Sequence, residues 1–167
     1  RKDARLAKEF KIALPAELTP EQSIELTAAF VLEHFTKQGI IADVVIHDIN
    51  GHNPHIHIMG TTREVLSTGF GKKVREWDKP EMLDSWRKGW QEICNGFLEL
   101  YGHDERIDHR SIRVQYKEAL EQATVAATNE EKAIWLAKAI ETNRDPILHI
   151  PRDRWGTVAA EEQRAAE

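Results

Sequence analysis

Val44-Val45-Ile46-His47-Asp48-Ile49-Asn50-Gly51-His52-Asn53-Pro54-His55-Ile56-His57-Ile58 places four of the chain's eight histidines within eleven residues. The preceding run from Ile40 to Ile49 is rich in β-branched residues and reads as a well-buried strand. Asn50 to Pro54 is dense with turn formers, and His55 to Thr62 resumes strand character. The stretch therefore predicts an antiparallel hairpin. Because side chains alternate along a strand, His55 and His57 share one face, while Ile46, Ile56 and Ile58 point to the core. With the turn centred near His52, His47 falls opposite His57, and opposed Cβ atoms lie about 4.5–5.5 Å apart. Three imidazoles then converge on one point.

A lone histidine on an exposed hairpin face is ordinarily just a polar surface residue. A His-x-His pair joined by a cross-strand His is a ligand pattern, and His47, His55 and His57 are the expected metal ligands. Three nitrogen donors with open positions describe a catalytic rather than a structural centre. A divalent ion such as Mn, Mg or Zn is expected, with Fe, Co and Ni also compatible. His52 belongs to the turn, His34 and His149 have no partners at ligand spacing, and His109 is a ligand only if the hairpin set fails.

Outward from the hairpin, Arg1 to Lys8 reads as the tail of a helix and Phe10 to Leu14 as a short strand stopped by Pro15. Thr19-Pro20-Glu21-Gln22 is a helix start with a capping box, and Ile24, Ala28, Val31, Leu32 and Phe35 recur at helical spacing before Gly39. Ser67 to Lys79 reads as an exposed loop. Asp78 with Glu81 is expected to open the next helix, whose apolar stripe is Met82, Trp86, Trp90, Ile93, Phe97 and Tyr101. Both tryptophans are assigned to the core. Two further helices are expected near Ile112 to Thr124 and Glu130 to Glu141, the second with a capping box from Thr128 to Glu131.

The 167 residues suit one domain, taken as 1–150 with a tail at 151–167. One cysteine, Cys94, rules out an internal disulfide and a cysteine-based zinc cluster. No apolar run approaches the ~18 residues that a membrane span needs, and no signal peptide is visible behind Arg1-Lys2-Asp3. A cytoplasmic protein without a membrane partner is expected. The net charge of −5 runs against a protein living on nonspecific duplex binding, although charge can be segregated locally.

The segment from His47 to Met59 resembles the three-histidine motif of conjugative relaxases, which belong to the His-hydrophobic-His endonuclease superfamily. Arg1-Lys2-Asp3-Ala4-Arg5, Ala13-Leu14-Pro15-Ala16-Glu17-Leu18, Thr62-Arg63, Gly69-Phe70-Gly71-Lys72-Lys73 and Arg106-Ile107-Asp108-His109-Arg110-Ser111 are similar to the MobA/MobL branch, in the same order. Asp145 to His149 resembles it only loosely. The resemblance implies an α+β fold, an antiparallel sheet with a central histidine-bearing hairpin flanked by helices. It implies nicking of one strand at a plasmid transfer origin, with the 5′ phosphate kept as a tyrosine ester and the three histidines holding a divalent cation. The implied partners are single-stranded origin DNA, accessory proteins of the relaxosome and a coupling protein. In the family the nucleophilic tyrosine lies upstream of the residues matched by Arg1 to Arg5. This chain offers Tyr101, on an apolar stripe, and Tyr116, far beyond the motif, so neither is assigned.

Arg63, Lys72, Lys73 and Arg75 are the candidate phosphate contacts. Asp108 and Arg110 are candidates for orienting a ligand histidine, since such rings donate their second N–H to a carboxylate or carbonyl. A cap for the following helix, or an Asp108–Arg110 pair, is the structural alternative. Two rival functions remain: a small-molecule hydrolase or oxygenase on a cupin-like scaffold, and a DNA-binding module that keeps the fold without the nucleophile. The helical content beyond residue 80 argues against a cupin-like barrel.

Overall fold

The computed structural model of the chain describes residues 5–145 and 156–158. The fold is α+β, and the chain divides into two compact units, Arg1–His109 and Arg110–Glu167. In the first unit, β1 (Ala7–Ala13), β2 (Ala42–His47) and β3 (His55–Thr61) form an antiparallel sheet in the order β1-β3-β2. The histidine strand β3 is thus central. The helical tail expected over Arg1 to Lys8 is corrected at its end, because Ala7 and Lys8 already pair with Thr61 and Gly60 of β3; residues 1–4 lie outside the described residues. The alternation of Phe10 and Ile12 with Glu9 and Lys11 suits a strand with one face on the core.

Ile56 and Ile58 are fully buried, as the hairpin reading requires. β2 is an edge strand, and its residues alternate between half-buried and exposed instead of being buried throughout. Val45 points away from the core and is exposed.

Helix α1 (Pro20–His34) starts as expected, with Thr19 and Gln22 completing the capping box. Its buried face was misread. Ser23, Leu26, Thr27 and Phe30 are buried, whereas Ile24 and Leu32 are half-exposed. The polar members fit inside because Thr27 donates its hydroxyl to the Ser23 carbonyl within the helix, at 2.7 Å. Phe35 follows at the C-cap and is completely buried. It stacks on Trp86 (5.6 Å between centroids) and meets Phe10 and Phe30 edge-on.

The region read as a loop from Ser67 to Lys79 contains a strand, β5 (Gly69–Lys73), which pairs antiparallel with β4 (Arg63–Leu66) just before it. Ser67 and Thr68 make a two-residue turn, which Gly69 leaves with φ of 115°. Asp78 does not cap α2 (Pro80–Leu100), whose N-cap is Lys79. It ends a 3₁₀ turn, Glu76–Asp78, where its carboxylate gathers Lys8 (2.9 Å), Arg5 (3.2 Å) and Lys73 (3.7 Å). Along α2, Trp86, Trp90, Cys94 and Leu98 are buried, with Met82, Ile93, Phe97 and Tyr101 packed beside them. Both tryptophans are core residues, and the Trp86 indole donates to the His34 carbonyl at 3.1 Å.

The hydrogen bond from Lys8 holds the Asp78 carboxyl below its ordinary range against the cost of desolvation, with the positive charges of Lys8, Lys73 and Arg5 adding to it. Asp78→Asn is expected to cost about 1 kcal/mol, since the group is partly exposed yet serves several cations. A folded-state pKa below the unfolded one contributes fully above about pH 4 and is lost as the pH falls through the lower folded value. Urea unfolding of parent and variant should therefore show a gap at pH 7 that narrows toward pH 3.

In the second unit, α3 (Ile112–Val125) packs against α4 (Asn129–Thr142). The capping box of Thr128 and Glu131 is present, and Ala119, Ala123, Ala139 and Thr142 are buried. The tail read at 151–167 lies outside the described residues except for 156–158. Among the described residues, no helix is long and apolar enough to cross a membrane.

Candidate metal centre

The hairpin register differs from the expected one by two residues. His47 pairs with His55, and His57 sits opposite Val45, so the loop centres on Gly51 rather than His52. A two-residue slip preserves the face on which every side chain lies, so the three rings still converge. Centroid separations are 4.6 Å for His47–His57, 5.3 Å for His47–His55 and 5.2 Å for His55–His57. One ring nitrogen from each residue lies within 4.8 Å of the others. His47 is exposed while His55 and His57 are half-buried, which leaves one side of the group open.

The loop itself is built to fix this geometry. Asp48 takes a left-handed conformation, φ 52°, and its carbonyl accepts the Gly51 amide at 2.8 Å. Its carboxylate accepts the Asn53 amide, also at 2.8 Å. A Cβ on Gly51 would fall 1.8 Å from the Asp48 Oδ1 atom, so the close approach requires glycine here. The Asn53 carbonyl, held in this way, accepts the Nδ1–H of His55 at 2.6 Å.

His57 is oriented from the other neighbouring strand. Its Nδ1–H donates to Glu9 Oε1 at 2.9 Å, across the β1–β3 ladder. That hydrogen bond is the main reason the Glu9 carboxyl is held below its ordinary range, with Lys11 and His57 adding smaller favourable charge effects against desolvation. With Nδ1 committed to a carbonyl in His55 and to a carboxylate in His57, each ring presents Nε2 with its lone pair. Backing of this kind is usual for metal-ligating imidazoles, so the donor set fits a divalent cation.

Glu9 was not among the residues singled out in the sequence. Its signal was the alternation of Glu9, Lys11 and Ala13 with core-facing Phe10 and Ile12, and the missing knowledge was which strand β1 would join. Glu9→Gln is expected to weaken metal binding about tenfold, because an amide oxygen still accepts the Nδ1–H but carries no charge, and Glu9→Ala by up to about a hundredfold. Calorimetric titration with Mn²⁺ of parent and both variants checks the order.

The other predicted residues fall on several elements. Asp108 lies 4.0 Å from the Nδ1 atom of His109, whose ring and backbone N–H groups both donate to Gln91 Oε1 at 2.7 and 2.8 Å. It lines an open cleft of about 550 Å³ beside β1, together with Glu9, Lys11, Trp86 and Arg87. Glu9 is a carboxylate in contact with a triad histidine, a role weighed for Asp108 against a structural one. Arg110 belongs to the second unit, where it meets Glu118 at 2.7 Å. Arg63 and Lys73 face each other across β4 and β5, Lys72 is exposed on β5, and Arg75 is exposed just beyond it. Tyr101 donates its hydroxyl to Glu25 at 2.8 Å, and that bond raises its pKa, with burial and the Glu25 charge adding to it. Tyr116 sits half-buried on α3.

A family model described as the MobA/MobL family matches residues 1–133. A probable conjugal transfer protein TraA of Sinorhizobium fredii is 40% identical over 136 residues, covering 69% of this chain and 12% of the relative. Mobilization protein A of Escherichia coli is 33% identical over 141 residues, covering 72% of this chain and 20% of the relative. A solved structure titled for the molecular basis of vancomycin resistance transfer in Staphylococcus aureus is 35% identical, with a TM-score of 0.62 over 66% of this chain and 60% of that one. The chain thus spans about an eighth of the length of the TraA relative, 12%.

Proposed function

The chain belongs to the MobA/MobL family, and from that membership we propose that it is the DNA-nicking domain of a conjugative mobilisation protein. The domain takes in residues 1–150 and acts on one strand at a transfer origin. The observation that carries this reading is the convergence of His47, His55 and His57, with the Nδ1–H groups of two of them already committed to Asn53 and Glu9. His47, His55 and His57 would hold a divalent cation through ring nitrogens. When bound, such an ion supplies a Lewis acid that offsets charge developing on a scissile phosphate.

The rest of the work falls to the chain. Asn53 and Glu9 hold two rings in one tautomer and one orientation, so no reorganisation is needed when the phosphate arrives. The open side of the triad gives the phosphate its approach. In the proposed reaction a tyrosine hydroxyl gives up its proton and attacks phosphorus in line, the bond to the 3′ oxygen breaks, and that departing oxygen takes up a proton to leave as the 3′ hydroxyl. The resulting 5′ phosphotyrosine conserves the bond energy for rejoining. Tyr101 is a poor candidate for that nucleophile, because its hydroxyl is engaged with Glu25 and its pKa is raised. The family resemblance implies an attacking tyrosine upstream of the residues matched by Arg1 to Arg5.

The small-molecule alternative loses its scaffold. The described strands form a three-stranded sheet and a two-stranded ribbon, where a cupin-like enzyme needs a barrel of many strands. Gel-shift titrations with Mn²⁺ test the proposal, comparing single-stranded transfer-origin oligonucleotides with an unrelated duplex. Preference for the single strand is expected, without covalent capture at Tyr101 or Tyr116. Equal affinity for both DNAs contradicts the reading.

A further inference from the structure

The pairing of β4 with β5 is irregular. Arg63 pairs with Lys73 and Val65 with Phe70, so two residues of β4 span three of β5. Without this bulge, Lys73 and Phe70, three apart, would point to opposite faces. With it, Arg63, Val65, Phe70 and Lys73 all share one face, since paired residues lie on the same side. Leu66 confirms the other face, where it packs over Gly71.

On the shared face Phe70 is 68% exposed, an unusual placement for a large aromatic ring on a strand. The cross-strand pair Arg63–Lys73 lies on the same face, on the side of Phe70 away from the turn. Arg63 spends one N–H on the Gly71 carbonyl, at 2.9 Å, and the guanidinium has four more. Lys73 pairs only loosely with Asp78, at 3.7 Å. The ribbon grows directly out of the histidine strand: no more than about 20 Å of extended chain separates His57 from Arg63.

We infer that this face of the β4–β5 ribbon stacks an unpaired base of a single DNA strand on Phe70, with Arg63 and Lys73 together meeting the phosphate on one side of it. An aromatic ring beside a pair of cations matches a base and its neighbouring phosphate in both polarity and charge, and stacking tolerates any base. The inference rests on the nicking-domain reading and deepens it, by naming a place where the strand is held away from the triad.

The test measures affinity for a dT oligonucleotide and for an equally long abasic strand, in the parent chain, Phe70→Ala and Phe70→Trp. Phe70→Ala should weaken dT binding about tenfold, Phe70→Trp should restore it, and neither change should matter on the abasic strand. Mn²⁺ affinity and thermal unfolding should be unchanged in both variants. An equal loss on dT and abasic strands, or no loss on dT, overturns the stacking site. Parent binding to dT with no Phe70 dependence overturns this site alone, whereas a parent that binds neither strand overturns the nicking-domain reading with it.

Discussion

Replacing His55 and His57 together by alanine should lower divalent-metal affinity by about a thousandfold or more, because it removes two of three nitrogen donors. The rings are on the solvent side of β3, opposite the buried Ile56 and Ile58, so the sheet should survive. Unfolding by urea should confirm that the double variant keeps a cooperative transition. His52→Ala is the matched control: it lies in the same loop, outside the ligand group, and its removal should leave affinity unchanged. Equal affinity in the parent and the double variant would remove the triad from metal binding altogether.

Phe35→Ala should destabilise the chain by about 3–5 kcal/mol, the range for emptying an aromatic site in a packed core. Phe35 is completely buried and touches Phe10 on β1, Phe30 on α1 and Trp86 on α2. Its loss therefore uncouples the sheet from both helices that cover it. Ile24→Ala and Leu32→Ala, on the exposed side of α1, should stay within about 0.5 kcal/mol of the parent. Denaturant unfolding of the three variants distinguishes the buried face seen in the structure from the one suggested by apolar spacing. Near-equal losses at Phe35 and Ile24 would contradict this assignment of the core.

The same contrast explains what the sequence could disclose. The His-x-His face and the buried isoleucines followed from strand alternation, a local property that any register of the right parity preserves. The register itself depended on how Asp48 folds the loop, through a left-handed backbone and a carboxylate reaching Asn53. No periodicity encodes that. Helix α1 was legible at its start, where Thr19 and Gln22 form a local box, but not along its length. Thr27 could line the core because its hydroxyl is satisfied by the Ser23 carbonyl within the helix, and an apolar count overlooks both small residues.

Glu9 draws no assignment from the sequence, and Asp78 is read there as a helix opener, for a related reason. Each acts through partners distant in sequence, Glu9 on His57 and Asp78 on Arg5, Lys8 and Lys73. Their roles exist only once β1 has joined β3. The β4–β5 ribbon was hidden by its glycines, which mark loops in general yet here open a two-residue turn at Gly69 and accommodate Leu66 at Gly71.

X-ray absorption at the zinc edge of the Zn²⁺-loaded chain gives the most direct reading of the triad. Three imidazole nitrogens at about 2.0–2.1 Å, falling to one in His55→Ala/His57→Ala, are expected. A coordination sphere with fewer than three imidazoles in the parent chain, or one unaltered in the double variant, would show that these histidines do not hold the metal.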